Sequence, residues 1–154
     1  ADGMVVHDDH IGRMLALLDE LGLADDTIVV FTSDHGNCLG SHDQVSKNNH
    51  YEESIRVPFI IRWPGEIPHR RDDLLISAPD IYPTLIDLMG FEKDIPETVQ
   101  GSSYASIFLG EDAVRPTSQL VLVSRDRVVR SPAGCRPSTS ASPDKPSPDR
   151  ARSR

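Results

Sequence analysis

The sequence predicts an α/β fold in which helices pack against a largely parallel central sheet. Two short apolar runs, Ile28 to Phe31 and Val57 to Trp63, are rich in the branched and aromatic residues that favour strands. Segments with a helical spacing of apolar residues precede and follow them. Because helices that alternate with buried strands usually cover a parallel sheet, the pattern indicates a layered α/β architecture.

The first predicted element is an amphipathic helix that ends at Leu21. Its apolar residues recur near intervals of three, four and seven, with charged residues at the other positions. They are Met4, Ile11, Met14, Leu15, Leu18 and Leu21. Gly22 follows as a C-cap, and Asp25 to Thr27 form a turn before the strand Ile28 to Phe31. We expect this strand to be buried on both faces.

Three more elements are predicted further along the chain. Val57 to Trp63 is a second strand, with Pro58 close to its start. Pro79 to Met89 is a helix, with Pro83 in a first turn where its missing N–H costs nothing and Gly90 just past its end. Leu120 to Val123 is the last strand.

Charge and composition divide the chain into a domain at 1–124 and a tail at 125–154. The domain has 8 basic and 21 acidic residues, whereas the tail has 8 basic and 3 acidic residues and is rich in Pro, Ser and Arg. We predict that the tail is disordered, because it has too few apolar residues to offset its ordering entropy. Out-of-frame or linker sequence is the alternative. The acidic domain argues against a nucleic-acid partner.

Other features of the sequence leave the compartment and the oligomeric state open. Cys38 and Cys135 are the two cysteines, which indicates neither a disulfide framework nor a cysteine metal cluster. No apolar run approaches the roughly 20 residues that span a bilayer. The chain does not begin with Met and opens inside the first predicted helix, so we expect a fragment that is incomplete at its N-terminus.

Polar residues directly follow the first predicted strand. In open α/β sheets ligands bind beyond the carboxyl ends of strands, and Ser33, Asp34 and His35 lie at that end, before Gly36. A carboxylate next to an imidazole can bind one cation. The alternative is that Asp34 accepts hydrogen bonds from loop N–H groups and that His35 is polar surface.

The next segment supplies a longer motif, and with it a family resemblance. It is DDHIGRMLALLDELGLADDTIVVFTSDHGNCLGSHDQVSKNNHYEESIRVPFIIRWPGEI, followed by SAPDIYPTLIDLMG and QGSSYASIFLG. In order and spacing, these stretches closely resemble the later half of the sulfatase family. The resemblance covers roughly Val5 to Gly110.

The resemblance implies a hydrolase of sulfate esters with an alkaline-phosphatase-like α/β sandwich, one divalent cation and a formylglycine nucleophile. Asp34 and His35 match the family's later pair of metal ligands, and Lys47 matches the catalytic lysine that contacts the sulfate. His42 and His50 belong to the same loop, which implies a place near the substrate, although we favour polar loop structure over catalysis for both. The family favours calcium. The nitrogen ligand by itself points to zinc or manganese, and magnesium is a further alternative.

The family's nucleophile motif, Cys or Ser followed by x-Pro-x-Arg, and its first pair of metal aspartates are expected in an earlier half that this sequence does not contain. Asp8-Asp9 imitates the aspartate pair, but it belongs to the first helix, and we interpret it as a solvated helix face. Cys135 to Thr139 imitates the nucleophile motif with Thr139 in place of the arginine. We attribute that match to composition.

Three functions are therefore open. The first is part of a sulfatase that acts on a sulfated small molecule or a sulfated glycan. The second is a phosphomonoester or phosphonate hydrolase of the same superfamily. The third is a non-catalytic, metal-binding fragment. The particular sulfate ester cannot be predicted from these motifs.

Overall fold

The computed structural model describes residues 2–123, 126–131 and 134–137. The four helices are α1 Asp2–Glu20, α2 Glu52–Ile55, α3 Ala78–Leu88 and α4 Ala105–Phe108. The five strands are β1 Val29–Thr32, β2 Phe59–Arg62, β3 Gln119–Val123, β4 Asp126–Ser131 and β5 Gly134–Pro137. Short 3-10 turns cover Ser41–Asp43 and Glu92–Asp94.

The helix α1 and its predicted end are confirmed. Gly22 has a φ of 68°, the left-handed conformation that glycine adopts without strain. The Leu23 N–H donates to the Leu18 carbonyl at 2.9 Å, which closes the last turn. Within the described part of the chain, no helix combines the length and apolarity needed to cross a membrane.

The strands β1 and β2 pair antiparallel, with Val29 opposite Arg62 and Thr32 opposite Phe59. The expected parallel relation therefore does not hold for these two strands, because the chain returns through 33–58 to the same end of the pair. One consequence concerns the polar segment after β1. It begins and ends at the same end of this strand pair.

The strand β1 is less buried than its apolar sequence predicts. Val29 and Val30 are half-buried, while Phe31 on β1 and Ile60 on β2 are 43% and 58% exposed. A short apolar run indicates that a strand is covered in its complete fold. Among the described residues, no element covers the side chains of Phe31 and Ile60 completely.

The helix α3 begins where the Asp80 carboxylate accepts hydrogen bonds from Ser77. The Ser77 N–H and hydroxyl donate to Asp80 Oδ2 at 2.9 and 2.7 Å. The predicted position of Pro83 was wrong by one turn, because α3 starts at Ala78 and Pro83 lies inside the helix. Its missing N–H leaves the Pro79 carbonyl without its usual intrahelical donor. Gly101 packs so closely against that carbonyl that a Cβ would overlap it.

The core lies between α3 and α4. Leu88, Ala105 and Ile107 are buried, and Ile107 is only 1% exposed. The buried Thr84 hydroxyl accepts a hydrogen bond from the Tyr104 N–H at 3.1 Å. The rings of Phe59 on β2 and Phe108 on α4 lie 5.9 Å apart and extend this core to the two-stranded sheet.

The predicted last strand is present as β3, which pairs with β4, and β4 pairs with β5, both antiparallel. The strands β4 and β5 lie inside 125–154, where the sequence predicts disorder, so the structure differs from that expectation at residues 126–131 and 134–137. Residues 138–154 lie outside the described part of the chain.

Candidate functional site

The predicted metal ligands lie directly beyond the end of β1. Asp34 is exposed, and its Oδ1 accepts a hydrogen bond from the His35 N–H at 3.0 Å. The Ser33 hydroxyl donates to the His35 carbonyl at 2.9 Å. These short local bonds fix the turn that follows the strand, and the other carboxylate oxygen of Asp34 points toward the His35 ring.

The hydrogen bonds of the His35 ring determine which nitrogen is available as a ligand. Nδ1 lies 2.7 Å from the Gly36 carbonyl oxygen, and a carbonyl only accepts, so Nδ1 holds the proton. Nε2 contacts the Lys47 ammonium, which only donates. The lone pair of Nε2 therefore points away from the turn. Histidine ligands of metals are commonly oriented by such a bond from the other ring nitrogen.

Asp34, His35 and Lys47 converge on one point although twelve residues separate His35 from Lys47. Asp34 Oδ2 lies 3.3 Å from His35 Nε2. Desolvation raises the pKa of Asp34, but the electrostatic effects of the His35 ring and the Lys47 ammonium, together with hydrogen bonds from backbone N–H groups, outweigh it, so the pKa is below its ordinary 3.8. The carboxylate is thus ionised at neutral pH and lies in the field of the Lys47 ammonium.

Asp34 Oδ2 and His35 Nε2 are placed as two ligand atoms of one cation would be. Two ligand atoms at right angles on a cation with bonds of about 2.3 Å are about 3.3 Å apart, which matches Asp34 Oδ2 and His35 Nε2. In the described segments, no group of three His, Cys, Asp or Glu residues is placed to hold a metal ion. The described residues therefore supply two donors, fewer than the six to eight of a calcium site.

Two backbone contacts with α2 hold the turn after His35 in place. The Gly36 N–H donates to the carbonyl of the buried Ser54 at 2.9 Å. A Cβ at Gly36 would overlap the Glu53 carbonyl oxygen, so only glycine fits without a shift. The sequence indicated a tight turn at Gly36, but nothing in it indicated that α2 is the element packed against the turn.

His42 and His50 gather around Tyr51, beside the site. The ring of His42 stacks on Tyr51 with centroids 3.9 Å apart, and His50 lies tilted against the same ring at 4.6 Å. His42 Nε2 also lies 3.2 Å from Glu53 Oε2. Both histidines thus have structural contacts, as the favoured interpretation of polar loop structure predicts, and their part in substrate binding stays a prediction.

The loop that contains Lys47 is closed at its base. The buried Cys38 lies against the side-chain amide of Asn49, and the Cys38 N–H donates to the Ser46 carbonyl at 3.2 Å. No motif in the sequence points to Asn49. An Asn three residues before the start of a helix is a recognisable turn signal, but its contact with Cys38 could not be predicted from local sequence.

The two stretches that resemble the missing family motifs do not belong to the segment 33–51 that contains the candidate site. Asp8 and Asp9 are exposed on α1, in agreement with a solvated helix face. Residues 135–137 belong to β5, while Ser138 and Thr139 lie outside the described residues.

Comparison with known proteins identifies relatives of this chain. Residues 1–91 match the family described as Sulfatase. The chain is 44% identical over 122 residues to an endo-4-O-sulfatase of Bacteroides thetaiotaomicron, which covers 77% of this chain and 24% of that protein. The chain thus spans about a quarter of the length of this curated relative.

Solved structures are similar over most of the chain. A structure named BT4656, in complex with its substrate D-glucosamine-2-N,6-O-disulfate, has a TM-score of 0.67 and 31% identity, and covers 84% of this chain and 28% of its own. A phosphonate monoester hydrolase from Silicibacter pomeroyi has a TM-score of 0.68 and 28% identity, and covers 84% and 31%.

Proposed function

Because the chain belongs to the sulfatase family and has that family's alkaline-phosphatase-like α/β fold, we propose that it works as part of a longer hydrolase of sulfate esters. The observation that supports this proposal most directly is the convergence of Asp34, His35 and Lys47 at the end of β1. In the complete protein, β1 is expected to join a largely parallel sheet that covers its exposed side chains.

We assign two residues to a divalent cation. Asp34 Oδ2 and His35 Nε2 would hold it, with Nδ1 of His35 fixed by the Gly36 carbonyl and with the Lys47 ammonium displaced from the Nε2 lone pair. The family favours calcium, and magnesium or another divalent cation is the alternative. A cation at this point would polarise a sulfate oxygen as a Lewis acid.

Lys47 is assigned to the sulfate group. When a sulfate ester is cleaved, negative charge spreads over the oxygens of the sulfate and the leaving oxygen, and a fixed ammonium stabilises that charge more than water does. The compact ammonium of lysine suits a tetrahedral anion. Lys47 is exposed and its Nζ lies at His35, so an anion that enters there meets the ammonium directly.

The nucleophile is expected outside this chain, since the sequence contains no Cys or Ser followed by x-Pro-x-Arg. Formylglycine, formed from such a Cys or Ser, is the family's nucleophile. We therefore expect this chain to contribute cation ligands and sulfate contact, and we expect no turnover from it alone. We also keep the division into a sulfatase domain at 1–124 and a tail at 125–154 as a proposal.

The proposed substrate is a sulfated sugar or glycan. One relative is named an endo-4-O-sulfatase, another an N-acetylglucosamine-6-O-sulfatase, and BT4656 holds glucosamine disulfate as its substrate. His42, His50 and Tyr51 lie in the same loop segment as Lys47 and present polar and aromatic surface, which suits a sugar ring. Their part in substrate binding is a proposal.

Phosphonate or phosphomonoester hydrolysis is the second candidate. Phosphonate monoester hydrolases from two bacteria are structural neighbours, and one curated relative is a multifunctional protein of the alkaline phosphatase superfamily. The same cation and ammonium would stabilise charge on a phosphoryl group.

Side-by-side turnover of aryl sulfate, aryl phosphate and phosphonate esters by the complete protein separates these candidates. Preference for the sulfate ester supports the proposal, and preference for a phosphorus ester replaces it with the second candidate. No turnover of any ester by the complete, metal-loaded protein would favour a non-catalytic, metal-binding role.

A further inference from the structure

A contact between Cys38 and Asn49, here called the 38–49 clasp, closes the loop that contains Lys47. Cys38 is only 2% exposed. Asn49 Nδ2 donates to Cys38 Sγ at 3.3 Å, and the thiol lies 3.5 Å from Asn49 Oδ1. The side-chain amide and the thiol therefore satisfy each other at a half-buried position.

Cys38 holds the loop on both sides of Lys47. Its backbone N–H donates to the Ser46 carbonyl at 3.2 Å, and its side chain contacts Asn49. Lys47 thus lies between two residues that are bonded to the same buried cysteine. Asn49 Oδ1 also accepts from the Tyr51 N–H at 3.1 Å, which joins the clasp to the segment that leads into α2.

We propose that Asn49 is a positioning residue, which acts through the 38–49 clasp to hold Lys47 against His35. Lys47 is exposed and has a long, flexible side chain, so its own packing does not fix it. Cys38 lies four residues after Asp34, and the clasp therefore ties the lysine loop to the segment of the metal ligands. The catalytic consequence rests on the function proposed above.

Two substitutions of Asn49 distinguish the effect of the 38–49 clasp from the effect of the local turn. Asn49→Ala removes both the contact with Cys38 and the bond to the Tyr51 N–H. Asn49→Ser keeps a short oxygen that can accept from the Tyr51 N–H, as serine does in such turns, but it does not reach Cys38. Asn48→Gly is the matched control, because Asn48 is an exposed neighbour with a φ of 70°, a conformation that glycine adopts freely.

The measurement is the nuclear Overhauser effect between the Lys47 ε-methylene protons and the His35 ring in the full chain, in buffer free of divalent cations. The chain's single tryptophan reports on the fold, since the Trp63 indole N–H donates to the Asp25 carbonyl at 2.8 Å, away from the clasp. We expect the parent and Asn48→Gly to show the effect, and Asn49→Ala and Asn49→Ser to lose it with the Trp63 signal unchanged.

Two results would overturn the proposal. One is an undiminished effect in Asn49→Ser, because the clasp would then not position the lysine. The other is loss of the Trp63 signal in Asn49→Ser, which would make Asn49 a residue required for folding.

Turnover measured with the complete sulfatase distinguishes the positioning role of Asn49 from the proposed catalytic role of Lys47. We expect kcat of Asn49→Ser to fall about 10-fold to 100-fold with a smaller change in KM, as for a misplaced catalytic group. If Lys47→Ala turns over normally while the loss in the Asn49 variants is observed by NMR, the clasp is retained and the assigned role of Lys47 is withdrawn.

Discussion

At the residue scale, the His35 ring links the fold to the proposed chemistry. Its Nδ1 is bonded to the Gly36 carbonyl, and this bond leaves the Nε2 lone pair directed at Lys47 and near Asp34. Three residues of different charge thus share one point. The sequence placed Asp34 and His35 at a strand end, but only the three-dimensional path of the loop brings Lys47 to them.

Lys47→Ala in the complete sulfatase is expected to lower kcat for an aryl sulfate about 100-fold to 1000-fold, the cost of removing one donor that stabilises transition-state charge. The physical reason is the loss of the ammonium that we assign to the sulfate. Steady-state kinetics with a chromogenic aryl sulfate measures the effect. Lys93→Ala is the control, because Lys93 is an exposed lysine in the turn Glu92–Asp94. Equal turnover by the two variants would refute the role of Lys47.

At the element scale, the packing of α2 against the turn after β1 sets the position of the proposed ligands Asp34 and His35. The Gly36 N–H donates to the Ser54 carbonyl, and a Cβ at Gly36 would overlap the Glu53 carbonyl oxygen. The order of strand, polar loop and second strand was predictable from local patterns. The pairing direction of β1 and β2 was not, because antiparallel and parallel relations depend on where the connection runs.

Gly36→Ala is expected to destabilise the chain by about 1–3 kcal/mol, because the added methyl group overlaps the Glu53 carbonyl and forces a backbone shift. Gly12→Ala is the opposite case. Gly12 lies in α1 with open space around its Cα, so alanine should stabilise by up to about 1 kcal/mol. Urea unfolding of both variants tests the pair. Similar stability of Gly36→Ala and the parent would show that the contact is not tight in solution.

The extent of sequence-based prediction differs between elements for physical reasons. The helix α1 and its glycine cap follow from periodicity and from a left-handed residue, both local properties. The predicted place of Pro83 in the first turn was wrong, because the hydrogen bond between Ser77 and Asp80 starts α3 one turn earlier than the prolines suggest. The 38–49 clasp joins residues eleven positions apart, and no local pattern indicates such a contact.

At the scale of the whole molecule, ion pairs join distant segments of the chain. Arg115 Nη1 and Nη2 lie 2.6 and 3.1 Å from the two carboxylate oxygens of Asp72, and Arg70 Nη2 lies 3.1 Å from Asp72 Oδ2. The hydrogen bonds from Arg115 lower the pKa of Asp72 from 3.8 to about 2, against a smaller effect of burial. This paired carboxylate makes stability depend on pH.

The pH dependence has a definite sign. A folded-state pKa below the unfolded value stabilises the protein above about pH 4, and this stabilisation is lost as the pH falls from about 4 toward 2. Its upper limit is about 2 kcal/mol at 1.36 kcal/mol per pKa unit, and solvent around Arg115 reduces it. We expect Asp72→Asn to be less stable than the parent at pH 7 and the difference to shrink toward pH 2, as measured by urea unfolding.

Asp73→Asn is the matched control for Asp72. Asp73 is exposed, and its Oδ1 lies 3.5 Å from Arg115 Nη1, so its substitution should change stability little at any pH. A difference between Asp72→Asn and the parent that stays constant from pH 7 to pH 2 would contradict the assigned cause.

The central claim is that the turn after β1 holds a divalent cation, and a calcium titration of the full chain followed by amide NMR tests it most directly. Because two protein ligands are present, we expect weak binding, with a Kd of about 1 mM or above. The predicted result is a saturable shift of the Asp34, His35 and Gly36 amides that is abolished by Asp34→Asn. It should persist in Asp8→Asn, which alters an exposed carboxylate on α1. Equal shifts in Asp34→Asn and the parent, or none at these three amides in the parent, would contradict it.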